Sequence, residues 1–147
     1  MKKYLVLTLI AILALVISGC QATSVKAPSV EITSLMSPIS IGEDWIDSCF
    51  TMLITNPSQS ESYSDVYIKF IDIDSQGRII NEEVEDENPL YLYPGYQEEV
   101  VFDCRYPNLQ HGYYTLIVQL ITPGPDGAIA TSDDVVLAED QAAYELI

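Results

Sequence analysis

Cys49-Phe-Thr-Met-Leu-Ile-Thr-Asn56, Asp65-Val-Tyr-Ile-Lys-Phe-Ile-Asp-Ile-Asp74 and Glu98-Glu-Val-Val-Phe-Asp-Cys104 are three strand-like runs around which the chain reads. In the first, Phe50, Met52 and Ile54 recur at every second position, the period that puts one face of a strand into a core. Asn56-Pro57 ends it and a polar loop follows. The second run stops at the tight turn Ser75-Gln-Gly-Arg78, and the third follows Leu92-Tyr-Pro-Gly95. Cys49 and Cys104 stand at the two limits of this unit.

The middle run changes phase. Val66, Ile68 and Phe70 share one face, Ile71 and Ile73 fall on the other, and Asp72 stands where an apolar residue is due. A one-residue phase change is what a β-bulge produces, so a bulge near Phe70-Ile71 is expected to keep Ile73 inside. The alternative is a strand that is apolar on both faces there.

Outward from this unit, Val30 and Ile32 alternate with Glu31 and Thr33, a half-buried first strand. Ser37-Pro38 and Gly42-Glu-Asp44 are turn punctuation. After His111-Gly112, the residues Tyr114, Leu116, Val118 and Leu120 share a face. Val135-Val-Leu137 gives a last short strand, with Tyr144-Glu-Leu-Ile147 as a further short run. Only Gln141-Ala-Ala-Tyr144 has any helical character. Short runs divided by Pro, Gly, Asn and Asp turns predict an all-β domain over residues 29–147, an antiparallel sandwich of about seven strands.

The N-terminus reads differently. Met1-Lys2-Lys3 is positively charged, and Leu5 to Ile17 is apolar except for Thr8. Those thirteen residues suit a signal-peptide core and fall short of the ~20 that a spanning helix needs. Ile17-Ser18-Gly19-Cys20 follows at once and resembles the lipobox of bacterial lipoproteins. The resemblance implies removal of residues 1–19, acylation of Cys20, and a tether over 20–28. Stable anchoring takes two or more acyl chains, so the expected partner is a lipid bilayer that the protein sits on without crossing. Gln21 stands where an Asp would imply inner-membrane retention. The expected location is therefore extracytoplasmic, on the cell membrane or, where there are two membranes, on the outer one.

Loss of Lys2 and Lys3 leaves four of the six basic residues against 22 acidic ones, a net charge of −18. Such a chain repels phosphates, which argues against nucleic acid and anionic lipid headgroups as partners. With Cys20 acylated, Cys49 and Cys104 remain as a pair that an oxidising compartment would bond. In a reducing habitat they would be two buried thiols.

Asn56-Pro57, Val66-x-Ile68-x-Phe70, Asp74-Ser-Gln-Gly77 and Leu92-Tyr-Pro-Gly95 together resemble the FxLYD-type domain and, more broadly, immunoglobulin-like modules of prokaryotic surface proteins. Asp72 and Ile73 replace the Leu and Tyr of the name-giving motif. The resemblance covers residues 48–121 and implies an immunoglobulin-like β-sandwich with no shared catalytic residues.

Two acidic stretches have the spacing of cation loops. Asp72-x-Asp74-x-Gln76-Gly77-x-Ile79, with Glu83 twelfth, has much of an EF-hand loop's spacing, but strands rather than helices flank it. A hairpin in which Asp74 caps the turn is the simpler account. Pro123-Gly-Pro-Asp-Gly127 and Thr131-Ser-Asp-Asp134 resemble a Gly-Pro-Asp-Gly-x-x-Gly-Thr-x-Asp-Asp element of bacterial surface proteins, with Ala130 replacing its second glycine. Asp126, Asp133 and Asp134 could gather round a hard cation such as calcium, or cap turns in a hairpin loop.

Catalytic constellations are sparse. His111, the single histidine, lies in a turn without a serine or cysteine at a telling spacing. The acids of 82–87 read as a solvated face. No enzymatic activity and no required cofactor are expected. Of the ten tyrosines, Tyr91, Tyr93, Tyr96, Tyr106, Tyr113 and Tyr114 cluster in the second half. Exposed tyrosines offer rigid contact area for a protein or a glycan, and that binding role is the functional expectation. The other is a calcium-stabilised structural component of the cell envelope.

Overall fold

The computed structural model describes residues 26–40, 46–104 and 110–147, excepting the side chains of 46–48. Residues 1–19, Cys20, the Gly42-Glu-Asp44 turn and Tyr106 lie outside the described residues. Seven strands follow in order: β1 (Ser29–Leu35), β2 (Ile46–Thr55), β3 (Tyr63–Asp74), β4 (Ile79–Leu92), β5 (Gln97–Cys104), β6 (Gly112–Thr122) and β7 (Val135–Leu146). They form two antiparallel sheets, β1-β2-β5 and β4-β3-β6-β7, packed as a β-sandwich. An immunoglobulin constant domain keeps its fourth strand on the first sheet, whereas here the fourth strand lies on the second.

Period-two burial makes the core. Phe50, Met52 and Ile54 from β2 face Val66 and Ile68 from β3 and Leu116, Val118 and Leu120 from β6. The chain's three phenylalanines form one cluster across the sheets. Phe50 and Phe102 stack at 5.2 Å, and Phe70 meets them edge-on at 5.6 and 4.9 Å. Such offset and edge contacts add to simple area burial.

The expected bulge at Phe70-Ile71 does not occur. β3 pairs with β6 in unbroken register from Tyr67 to Asp74. Its inward face is Val66, Ile68, Phe70 and Asp72, and its outward face is Tyr67, Lys69, Ile71 and Ile73. The strand is therefore apolar on both faces, and a carboxylate enters the core. Against β4 the register does shift, after Asp72 beside the hairpin turn and again between Ile68 and Tyr63.

Two elements differ from the sequence reading. β7 is one continuous strand of twelve residues, and Gln141-Ala-Ala-Tyr144 is strand, not helix. Its ladder with β6 runs from Leu146 to Val135 with a single shift, and that pairing overrides the local preference of the alanines. The acidic stretch 79–92 is the fourteen-residue strand β4, at the sheet edge. An edge strand tolerates Pro89, which has no N–H to give, and its exposed Glu83 and Glu85 discourage strand addition.

Cys49 and Cys104 are bonded, with Cα atoms 5.5 Å apart. Both belong to one sheet, unlike the inter-sheet bridge of antibody domains. The β2–β5 register shifts between Ile46 and Phe50, so the bond ties the strands where their ladder is interrupted. On the opposite side the sandwich is closed by polar contacts. Ile32 N–H donates to Asp140 Oδ2 at 2.7 Å where β1 bulges, and Ile39 pairs with Leu146.

Candidate functional site

The EF-hand-like stretch is a hairpin. Asp74 Oδ1 accepts the N–H groups of Gln76 and Arg78 at 2.8 and 2.9 Å, and the Arg78 guanidinium bonds Oδ2. The Arg78 amide, above all, holds the Asp74 carboxyl below its ordinary range. Asp72 lies in the core, and Glu83 sits on β4 opposite Phe70. Asp74 is thus engaged by its own turn and Asp72 by the core, and among the described residues no such group gathers to hold a metal.

Asp72 is 3% exposed. Tyr144 O–H donates to its Oδ1 at 3.0 Å and Asn81 Nδ2 to its Oδ2 at 3.1 Å. Burial pushes the Asp72 carboxyl up, the Asn81 and Tyr144 hydrogen bonds pull it partly back, and the charge of Glu83 adds to the rise. A carboxyl whose folded-state pKa exceeds its unfolded value binds its proton more tightly when folded. Stability then falls as pH rises from the unfolded value, near 3.9, through the folded one. Asp72→Asn is accordingly expected to raise the melting temperature at pH 7 and leave it nearly unchanged near pH 3. Parallel melting curves across that range check this, and a uniform offset at all pH values would count against it.

The 123–134 loop also closes on itself. Asp126 Oδ1 accepts Ala128 N–H at 2.8 Å, Asp134 accepts Thr131 N–H at 3.0 Å, and Asp133 accepts Thr131 O–H at 2.6 Å. The Thr131 hydroxyl chiefly, with the Asp126 amide, keeps the Asp133 carboxyl below its ordinary range. A Cβ on Gly124 would lie 2.3 Å from the Asp133 carbonyl, so only glycine fits beneath it. Ala130 has a φ of 60°, the left-handed region, which explains a glycine there in the element it resembles. Main-chain and hydroxyl donors thus stand where the sequence reading had a cation. Among the described residues, no three acidic, His or Cys side chains gather to hold a metal.

Asn56 organises the same end. Its Nδ2 donates to the carbonyls of Glu61, Leu92 and Tyr93 at 2.8, 2.9 and 3.1 Å, and its Oδ1 accepts Ser58 N–H. Its backbone N–H bonds Tyr96 O, and its carbonyl accepts Gly95 N–H. The Leu92-Tyr-Pro-Gly95 turn, with Gly95 at φ 76°, is thereby pinned to the β2–β3 loop. Tyr96 is buried and donates to Glu98, and burial first, then Glu98, pushes its phenol far up. Tyr93 packs edge-on against Tyr96, and Tyr91 and Tyr93 remain exposed.

Tyr113, Tyr114 and Tyr144 lie at the other end. Tyr114 stacks on Tyr144 at 5.6 Å and donates to Gln110 O at 2.7 Å. Tyr113 is exposed, and its hydrogen bond to Glu145 raises its phenol. His111 is exposed. Sequence reasoning missed Asn56 and Asp72 as buried polar centres. Asp72 at an inward position was the visible signal, and Asn56 had none beyond standing before a proline.

No protein-family model and no curated protein matches the chain. Two structures of a beta-glucosidase from Kluyveromyces marxianus, one selenomethionine-labelled and one with glucose, are similar at 17% identity with TM-scores of 0.40 and 0.41. In both, the likeness covers 82% of this chain and 15% of the other, so the chain spans a small part of their length.

Proposed function

We propose that this chain is a lipid-anchored, extracytoplasmic interaction module without enzymatic activity, held on a membrane through Cys20 and binding a protein partner. One observation carries the reading: the same chain has Ile17-Ser18-Gly19-Cys20 behind an apolar leader and a Cys49–Cys104 disulfide. A disulfide belongs to an oxidising compartment, where lipidated surface proteins reside. The buried carboxylate Asp72 and the loop aspartates are engaged in hydrogen bonds that build the fold. That use favours a binding domain over a hydrolase.

The proposed anchor, with the strand directions, orients the domain. Ser29 pairs with Thr55 and Thr55 with Gln97, so β1 starts at the end bearing loops 56–62, 93–96 and 123–134. Nine residues from Cys20 to Pro28 reach at most ~30 Å, which keeps that end near the bilayer. The hairpin at Ser75–Arg78 and exposed Tyr113 lie at the far end of the sandwich.

Cys20→Ala should release the protein from the membrane fraction or leave it as an unprocessed precursor. A variant that still matures and partitions into detergent would refute the anchor.

A further inference from the structure

We infer that the outer face of the β4-β3-β6-β7 sheet is the docking surface, and that its occupant is a protein segment with aliphatic side chains flanked by lysine or arginine. This deepens the interaction-module reading and rests on it.

Part of this face is apolar where an open sandwich face is ordinarily polar. Cross-strand pairing sets Ile79, Ile73, Thr115 and Ala143 in one row and Glu82, Ile71, Ile117 and Gln141 in the next. Tyr113 adjoins them opposite Glu145. Ile79 is 59% and Tyr113 68% exposed, while Ile71, Ile73 and Ile117 are half-buried. Four isoleucines and a tyrosine therefore form one water-facing patch, a feature that marks interaction sites.

Its rim selects the partner. Glu82 borders the patch on β4, and Glu139 and Glu145 border it on β7. In the adjoining row Lys69 pairs with Glu82 at 2.6 Å and the two charges cancel, so Glu139 and Glu145 carry the negative rim. Glu139 bonds Gln119, which holds its charge at the margin. A second copy would bring another chain of formal charge −16 against this rim, so like-charge repulsion disfavours self-association. Glycans prefer aromatic platforms, whereas the centre here is aliphatic. A cationic protein segment satisfies both centre and rim. The patch also lies toward the end remote from the tether, where such a partner has access.

The test uses the full chain extracted in detergent and a fluorescent ten-residue peptide of alternating leucine and lysine, read by anisotropy at low and high salt. Wild type should bind it, and Ile73→Ser with Ile117→Ser should weaken binding about tenfold. Glu139→Gln with Glu145→Gln should flatten the salt dependence, and Val101→Ser on the other sheet should change nothing. Retention of the Cys49–Cys104 bond and the far-ultraviolet spectrum certifies folding of each variant. Equal binding by the isoleucine variant, equal binding of oligolysine, or displacement by peptidoglycan fragments would overturn the inference. A membrane-bound chain that ignores the peptide overturns the docking face alone, whereas an unlipidated chain that binds it overturns the anchor alone.

Discussion

Asn56→Ala is expected to lower the free energy of unfolding by about 3 kcal/mol, a large part of the ~5–15 kcal/mol typical of a domain. The side chain is fully buried, and one amide nitrogen serves three carbonyls with two protons. Removing it takes the amide donor from the Leu92 carbonyl, leaves Tyr93 O with the Tyr96 N–H alone, and leaves Ser58 N–H without its acceptor. Each such loss costs about 1 kcal/mol or more when water cannot replace the partner. Asn56→Asp has the same shape but aims a carboxylate at three carbonyl oxygens. It should be at least as damaging at pH 7 and recover partly in acid, where the protonated carboxyl can donate again. Urea unfolding at both pH values measures this. A change below about 0.5 kcal/mol for Asn56→Ala would show that water fills the role.

Cys49→Ala with Cys104→Ala is expected to cost about 4 kcal/mol, the chain-entropy value for a loop of this length. The bond spans 55 residues, and both cysteines are buried. A loss of that size lowers the melting temperature of a domain this size by roughly 10–20 °C. The bond sits where the β2–β5 register shifts between Ile46 and Phe50, so it cross-links the strands where their ladder is least regular. Reduction of the wild type should reproduce the effect, because it removes the same cross-link without altering the core. Equal melting of oxidised and reduced protein would mean that the reduced chain is held together by packing alone. Both thiols reacting with an alkylating agent after denaturation without reductant would mean that the bond is not made.

The sequence by itself determined the core faces of β1, β2 and β6, because a strand's burial period is local: Phe50, Met52 and Ile54 alternate whatever they pack against. Turn chemistry is equally short-range, and Asp74 bonds the amides of Gln76 and Arg78 only two and four residues on. The lipobox-like run before Cys20 is likewise a linear signal. Tertiary structure decided the rest, where partners are distant. Asp72 occupies the core only because Tyr144, 72 residues away, and Asn81 supply donors, and that satisfied carboxylate replaces the bulge that periodicity implied. Asn56 gains its role from carbonyls 36 and 37 residues on. β4 shows no apolar period because it has a free edge, and an edge selects charge rather than burial. β7 holds its alanines in a strand through the ladder with β6 and through Asp140, which accepts from Ile32 across 108 residues. Period and turns are encoded by neighbours in the chain, whereas satisfaction of buried polar groups is encoded by neighbours in space.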